Sequence, residues 1–506
     1  MSQPTPVTPI DAGPDGVVDR LDTDRVPVDD RLARRLADAC DTVSTREADR
    51  AEAGRDWWPL AIGWAAAGSV PSRPALVARP TDVAQVSAVL GLCHEAQVPV
   101  TPAGGRSGVC GASIPLFGGV ALDLCGLAGI GDVDGTSLVA DLRAGTFGPD
   151  VEAGLRGSHG LTLGHWPQSM DLSTVGGWLA CRGAGQYSNR YGKIEDMVLG
   201  LEVVLADGRI VHTGGRGPRS ATGPDLTQLF VGSEGTLGVI TEGRFRVHPV
   251  PDGEGRRVFG FASFGDGLDA CRRILRRGAT PAVLRLYDAT ESGRSFDQPD
   301  TNVLVVLDEA DPGMVDATLA VVDQECASAD TWDVGLVDRW LTHRNDVSAL
   351  APLWRSGVVV DTVEVSGRWS ALPGLYDAVL GALGGVPGTL VASSHQSHAY
   401  PDGACLYFTF AGRPPEDVAA EPDRRDAWVG DYYRRAWDEV TRATIAAGGA
   451  ISHHHGIGLN RGRFLADGLG PAFDVLASVK AALDPHGILN PGKLGLSSPF
   501  GPVPWP

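Results

Sequence analysis

At 506 residues the chain exceeds one ordinary domain and has room for two to four, each with a full core. Its 62 acidic residues against 43 Lys and Arg give a formal charge of −19, which excludes non-specific nucleic-acid binding and adhesion to anionic membranes. The eight cysteines are scattered, with no Cys-x-x-Cys pair and no close Cys/His metal spacing, so free thiols in a reducing compartment are expected rather than a disulfide framework.

In chain order, residues 1 to about 30 are rich in Pro, Asp and Gly and read as a flexible tail, and 31–51 read as a charged helix. Arg34-Arg35 opens no twin-arginine signal, since acidic sequence precedes it and no apolar stretch follows. The apolar segment 57–70 is short and broken by Pro59 and glycines, so it does not span a bilayer, and a cytoplasmic setting is expected. Ala75-Leu76-Val77-Ala78 predicts a strand, and Thr81 is the expected cap of a helix whose Val83, Val86, Leu90 and Cys93 share one face. Val98-Pro99-Val100 predicts a second strand, which runs straight into Pro102-Ala103-Gly104-Gly105-Arg106-Ser107-Gly108. Such a βαβ-like unit delivers backbone amides to one end of a sheet. Strands are predicted at 119–124 and 199–206, and this α+β unit closes near Pro249-Val250-Pro251. Beyond it, strands at 302–307 and 404–410 mix with a helix at 431–447, and helical sequence returns at 471–483.

Three glycine-rich segments carry most of the information: 102–108, the run Gly-His-Trp-Pro-Gln-Ser-Met-Asp-Leu-Ser-Thr-Val-Gly-Gly at 164–177, and Gly-Ser-Glu-Gly-Thr-Leu-Gly-Val-Ile at 232–240. Glycine and serine let backbone N–H groups approach an anionic or aromatic ligand closely. Three such segments in one domain-sized stretch imply a large, elongated nucleotide-type cofactor. No Gly-x-Gly-x-x-Gly opens a helix after the first strand, and no Gly-x-x-x-x-Gly-Lys-Ser/Thr is present, so neither a Rossmann fingerprint nor a P-loop supplies the site.

These loops, with the terminal Leu489-Asn490-Pro491-Gly492-Lys493, resemble the vanillyl-alcohol oxidase and para-cresol methylhydroxylase superfamily of FAD enzymes over about 72–494. Within it the chain is similar to the alkyldihydroxyacetonephosphate synthase family. That likeness rests on Gly164-His165-x-Pro167-x-Ser169 leading to Ser173-Thr174-Val175-Gly176-Gly177-Trp178, on Tyr191-Gly192-x-Ile194-Glu195-Asp196, on Tyr400-x-x-Gly403-Ala404-Cys405-x-Tyr407-Phe408, and on His453-His454-His455-Gly456-Ile457-Gly458. The resemblance implies an α+β fold: a two-part FAD-binding domain of the para-cresol methylhydroxylase type, an α+β cap domain for substrate, and helical terminal segments. Expected boundaries are an N-terminal tail and helical segment at 1–67, the FAD-binding domain at 68–251, the cap at 252–448, and a segment at 449–506 that returns to the flavin site. The FAD contacts it implies are Pro102, Ala103, Gly104, Gly105, Arg106, Ser107 and Gly108; Gln168, Ser169, Met170, Asp171, Leu172, Ser173 and Thr174; Cys181, Arg182, Gly183 and Ala184; and Glu234, Gly235, Thr236, Leu237, Gly238, Val239 and Ile240. The first loop offers Arg106 and Ser107 and no histidine, so non-covalent FAD is expected. A small-molecule or lipid-like substrate is implied, while self-association into a homodimer stays open.

For chemistry, the triple histidine follows apolar Ala450-Ile451, and on an extended segment His453 and His455 would face one way and His454 the other. Catalysis is expected from His453, His454 and His455 with Tyr400, which matches the family's proton-transferring tyrosine. A phenol with an ordinary pKa of about 10 is a poor base alone, so the histidines would assist it. Arg355 and Arg285 match family arginines and suit an anionic substrate group; His165 and His395 are further substrate-side candidates. No metal is expected, because His395 and His398 diverge on an extended segment. Trp166 and Gln168 stand where animal synthases carry Glu and Asp, which removes two carboxylates near the flavin segment. Two reactions fit this pattern: a redox-neutral exchange of the synthase type, and hydride-transfer oxidation of a 2-hydroxy acid or alcohol. A flavin-binding protein without turnover is a third, weaker fit.

Overall fold

The computed structural model describes residues 9–13 and 16–505; the first eight residues of the expected tail, with 14, 15 and 506, lie outside them. Leu76–Arg79, Val120–Asp123 and Val100–Ala103 form a parallel sheet in that order, edged by antiparallel Thr42–Ser44. The helix Val83–Ala96 joins the first and last of the parallel strands, and its Val86, Val89, Leu90 and Cys93 are buried on the sheet. Its cap is Asp82, whose carboxylate accepts from the Gln85 N–H; Thr81, the expected cap, instead bonds Asp41 through its hydroxyl. The expected helix at 31–51 is two helices, Asp30–Ala39 and Glu47–Ala53, because Thr42–Ser44 pairs with 77–79 and covers the open sheet edge. The tail also differs from expectation within the described residues. Val18–Asp19 pairs with Ser69–Val70, and the Asp19 carboxylate takes the Arg73 guanidinium at 2.8 Å.

A second, five-stranded antiparallel sheet runs in the order Ile210–Gly214, Val198–Val204, Val239–Arg246, Val139–Arg143, Ile130–Asp134. It buries Leu142, Val203, Ile240 and Phe245 against Trp178 and Leu179 of the helix Val175–Cys181. The glycine segment 232–238 feeds its central strand, just as 102–108 leaves the end of Val100–Ala103.

The third sheet has seven strands, ordered Asp330–Thr331, Gly253–Phe261, Asn302–Ala310, Val283–Tyr287, Thr389–Tyr400, Gly403–Gly412, Val359–Arg368. One face is largely apolar; the other is apolar toward Val258, Val283, Val303 and Val305 and polar toward the strands that follow. Leu284, Leu286, Leu406, Phe408, Val363 and Val365 join the core under the helices on one face, while Arg285, Tyr407, Thr362 and Glu364 occupy the other. The chain then returns through 450–458 and closes on the first sheet, where Leu489 bridges Val100. All eight cysteines are free, and among the described residues no helix is long and apolar enough to cross a membrane.

The cap assignment is testable. Asp82→Ala should lower the unfolding free energy by about 1 kcal/mol in urea titration, the usual worth of an N-cap carboxylate; Thr81→Ala should lower it by less, and the reverse order would restore Thr81 as the cap.

Candidate active site

A cavity of about 390 Å³ opens among the three sheets, and all three glycine-rich segments line it. Its wall holds 102–108 in full, then Gln168, Ser169, Leu172, Ser173, Thr174, Cys181, Gly183, Ala184, Glu234, Gly235 and Gly238 to Ile240. The structure does not bring the other expected cofactor residues to that wall. Met170 is buried against Gly148, and Leu237 is in the core of the second sheet. Asp171 and Arg182 are exposed, the latter facing Glu195 at 3.3 Å, and the Thr236 hydroxyl bonds the Ser233 carbonyl. Tight turns impose this: as the backbone presents its amides inward, successive side chains must turn out or under.

The turns are held by close approach. A Cβ on Gly104 would lie 2.2 Å from Thr174 Oγ1, and one on Gly105 2.0 Å from the Leu172 carbonyl oxygen, so the first two loops touch backbone to backbone. Non-glycine residues with left-handed backbone mark the same ring of turns: Arg106 (φ 54°), Arg182 (56°), Glu234 (50°) and Asn490 (40°). Each costs roughly 1–2 kcal/mol and persists because the surroundings over-determine it. Buried polar atoms on the wall lack protein partners: Arg106 Nε and Nη2, Thr174 Oγ1 and both ring nitrogens of His165. Burial pushes His165 down to about 3, so it is neutral and packs on Trp178 at 4.7 Å. A glycine cradle with open donors fits a dinucleotide-sized cofactor.

At the far wall the triple histidine is not extended. The N–H groups of His453, His454 and His455 all donate to one oxygen, Glu364 Oε1, at 3.0, 3.0 and 2.8 Å, and Ser452 Oγ adds a fourth donor. That nest curls the segment, so the neighbouring His454 and His455 both reach the wall while His453 lies behind it. Arg461 pairs with both oxygens of Glu364 and also bonds the Ile451 carbonyl, and both ions are fully buried. Burial is the largest influence and would raise the Glu364 carboxyl, but Arg461 together with His455 and His454 holds the group well below its ordinary range. Glu234 grips the other end of the same segment, accepting from the Ile457 and Gly458 N–H groups at 2.6 and 2.8 Å. Burial pushes Glu234 up to about 7 despite these bonds.

Across the polar face of the third sheet, register places Tyr287 opposite His395, His395 opposite Tyr407, and Tyr407 opposite Glu364. Tyr407 lines the cavity with its hydroxyl bonded to Thr362 Oγ1 at 2.9 Å. Arg285, His398, His454, His455, Asp361 and Ser397 line it too. Tyr400, the expected catalytic tyrosine, is not on that wall: its hydroxyl bonds Ser188 Oγ at 3.0 Å and Lys193 sits over its ring. One strand reversal separates the two tyrosines, and register puts both on the same sheet face, Tyr400 opposite Gly403 at the hairpin end and Tyr407 opposite His395 farther along, beside the cavity. Arg355 is also away from the cavity, exposed at the end of the helix Leu350–Arg355, whose Leu350 and Leu353 do face it. His395 lies behind the wall, bonded to Arg285 Nη2 at 2.7 Å. His453 is behind as well, stacked on Tyr400 at 5.6 Å. Ring nitrogens of His398, His453 and His454 and the thiol of Cys405 gather within 4.8 Å of one another, a cluster that joins His398 rather than His395 to the triple histidine. Sequence reasoning missed Glu364, Arg461 and Asp361. The signal was an acidic pair inside the apolar run Val358-Val359-Val360-Asp361-Thr362-Val363-Glu364-Val365, since buried strand carboxylates need partners.

A two-part α+β cradle closed by an antiparallel sheet is the architecture of para-cresol methylhydroxylase-type FAD proteins. Two family models match the chain, "FAD binding domain" over 74–214 and "FAD linked oxidases, C-terminal domain" over 256–494. The uncharacterized FAD-linked oxidoreductase YgcU of Escherichia coli K12 is 30% identical over 438 residues, 83% of this chain and 89% of that protein. The chain belongs to this FAD-linked oxidoreductase family, and FAD is its cofactor. Alkyldihydroxyacetonephosphate synthase of Dictyostelium discoideum is 29% identical, covering 84% of this chain and 74% of the synthase. Glycolate oxidase subunit GlcD of Bacillus subtilis is 29% identical, covering 88% and 93%. Among solved structures, an alkyldihydroxyacetonephosphate synthase superposes with a TM-score of 0.76 at 25% identity, covering 94% of this chain and 87% of that one. Substrate-bound p-cresol methylhydroxylase shares the fold at a TM-score of 0.74 and 17% identity, covering 94% and 99%.

Two measurements probe the architecture. Gly105→Ala should separate the first two loops and yield protein depleted in FAD, read from the ratio of flavin to protein absorbance; full FAD content would show that the close contact is not required. Glu364→Gln should cost about 3–5 kcal/mol of unfolding free energy, because it leaves Arg461 buried without its counter-charge, and an unchanged urea midpoint would refute that role.

Proposed function

We propose that the chain is an FAD-dependent enzyme that oxidises a hydroxyl-bearing carbon on a small anionic substrate. The observation that carries this reading is the far wall of the cavity, where His398, neutral and with an open ring nitrogen, stands with His454 and the buried Arg285. FAD, held by the glycine segments, supplies a two-electron acceptor there. Burial drives His398 and His454 well below the ordinary histidine range, so both are neutral and can accept a hydrogen bond from a substrate hydroxyl. His398 Nε2 has no partner in the protein, while its Nδ1 is held by Ser397 Oγ at 2.8 Å. Tyr407 plays the opposite part. Burial raises its phenol, so it keeps its proton and orients the substrate oxygen as a donor, leaving the histidines as the acceptors. Arg285 holds the anionic group. Trp57, Val109, Leu172, Leu350 and Leu353 give the cavity apolar flanks that exclude water.

A second reading, redox-neutral exchange of the synthase type, draws on a different observation. Trp57, Ile62 and Ala351 form an apolar cluster with Val109, Leu172 and Val347 beside the cavity, which suits an alkyl chain. The place of the animal synthases' first carboxylate is filled here by Trp166, packed against the Arg156 and Arg344 guanidinium groups at 5.4 and 5.9 Å.

Anaerobic spectra separate the two. Addition of 2-hydroxy acids should bleach the flavin and leave it bleached until an oxidant is supplied; turnover without lasting bleaching would favour exchange. Tyr407→Phe should lower kcat by about tenfold, the scale of one lost hydrogen bond to the substrate oxygen, with FAD content intact, whereas Tyr400→Phe should change kcat little. Equal losses in both variants would return the catalytic role to Tyr400.

A further inference from the structure

We infer that Arg285, held in place by Glu291 and His395, is the seat of a monocarboxylate group on the substrate. This rests on the flavoenzyme reading above and narrows its substrate class. His395 lies in a sandwich: the rings of Tyr287 and Tyr407 flank its imidazole at 5.0 and 4.9 Å with interplanar angles of 22° and 26°. On one edge Arg285 Nη2 approaches His395 Nε2 at 2.7 Å. A guanidinium is always charged and has no acceptor, so Nε2 must be the bare nitrogen and the ring proton sits on Nδ1. That nitrogen faces Glu291 Oε2 at 3.3 Å. The other Glu291 oxygen accepts from Ser393 Oγ and Thr409 Oγ1 at 2.9 and 3.0 Å and meets Arg294 at 2.8 Å. A carboxylate thus fixes a tautomer, and the tautomer fixes an arginine. His395 is a positioning residue, since it lies behind the cavity wall while Arg285 lies on it.

Arg294 balances Glu291, and the imidazole is neutral, so Arg285 keeps an uncompensated charge. Its side chain runs past Trp340 and Tyr287 at 5.6 and 5.9 Å, it is 8% exposed, and among the described residues no carboxylate stands within ion-pair distance. Arg285 Nε has no partner. A buried guanidinium without a counter-ion costs several kcal/mol, so the site is built to be completed by an anion. Charge then selects the anion. His398 and His454 on this wall are neutral, and the other buried guanidinium, Arg461, is already matched by Glu364, so Arg285 alone offers its charge. A carboxylate brings one negative charge in the planar geometry a guanidinium matches with paired N–H bonds. A phosphate monoester brings nearly two negative charges near neutrality, with the single guanidinium of Arg285 to balance them.

The test uses the oxidised holoprotein and two unreactive probes, 2-hydroxyisobutyrate (which has no hydrogen on its hydroxyl-bearing carbon) and inorganic phosphate, titrated by flavin absorbance and by calorimetry. The carboxylate should bind at least about tenfold tighter than phosphate, and Arg285→Met should weaken it by about 10²-fold, the scale of a truncated buried charge pair. His395→Phe should weaken it about tenfold while keeping the ring stack, the worth of one charge-assisted hydrogen bond, and His395→Gln, whose amide oxygen can accept from Arg285, should recover most of that loss. With an oxidisable 2-hydroxy acid, His395→Phe should raise KM and spare kcat, a split that general loosening of the fold would not give. Tighter binding of phosphate, or a carboxylate Kd unchanged in both Arg285→Met and His395→Phe, would overturn the inference. If Arg285→Met loses its FAD, the His395 pair decides. Carboxylate binding that depends on Arg285 without flavin reduction by any hydroxy acid would support the anion seat and remove the oxidation reading; reduction with an unchanged KM in His395→Phe would do the reverse.

Discussion

Two buried carboxylates from different parts of the chain hold the short segment 452–458, and the rest of the site depends on that clasp. Glu364 comes from the seven-stranded sheet and takes the amides of His453, His454 and His455; Glu234 comes from the third glycine turn and takes those of Ile457 and Gly458. Neither carboxylate would be tolerated alone in so dry a place. Arg461 supplies the counter-charge for Glu364, and Lys493 lies near enough to Glu234 to pull its pKa down against the effect of burial. Because one end is anchored in the cap and the other in the cofactor cradle, the segment acts as a strap across the interface. It locks the histidines at a set position relative to the glycine loops.

The two halves of the site store their information differently. The cradle is written in backbone: close contacts at Gly104 and Gly105 and left-handed turns at Arg106 and Glu234 aim amides that belong to no side chain. The far wall is written in side chains on a flat sheet, where one face carries Leu406 and Phe408 into the core and the opposite face carries Cys405 and Tyr407. A one-residue slip of that strand would bury Tyr407 and expose Phe408 to the cavity, so the same hydrophobic pattern that stabilises the sheet also sets its chemistry.

This difference explains what was legible in the sequence. The α+β class, the βαβ opening and the glycine loops were readable, because loops that admit only small residues announce themselves locally. The histidine triplet was readable as a site but not in its shape, since the partner that curls it, Glu364, lies 89 residues away from His453 and only the folded sheet brings the two together. The motif contains both Tyr400 and Tyr407, and the resemblance gave the catalytic role to Tyr400. They share one sheet face on either side of a strand reversal at Asp402, and which of them the cavity reaches depends on how far along the hairpin it opens, which no local pattern contains. Arg355 failed for a related reason: a helix of six residues shows one face to the cavity, and Leu350 and Leu353 took it. Thr81 lost the capping role to its neighbour because Asp41, on the strand-side turn, competes for its hydroxyl.

The rung Tyr287, His395, Tyr407, Glu364 joins these points. Neighbouring strands in a sheet are about 4.8 Å apart, so the strand bearing Arg285 and the strand bearing Tyr407 are separated by two such steps, roughly 10 Å. That span is bridged by the long arginine side chain on one side and the phenol on the other, with the His395 imidazole filling the step between them. Loops cannot alter this distance, because hydrogen-bonded strands are far stiffer than turns. The separation between Arg285 and the Tyr407 hydroxyl is therefore a property of the sheet, whereas the position of the cofactor is a property of the turns. Substitutions in the glycine segments would be expected to change how firmly the cofactor is held, and substitutions along the rung to change which substrate is accepted, with the clasp on 452–458 as the element that keeps the two in register.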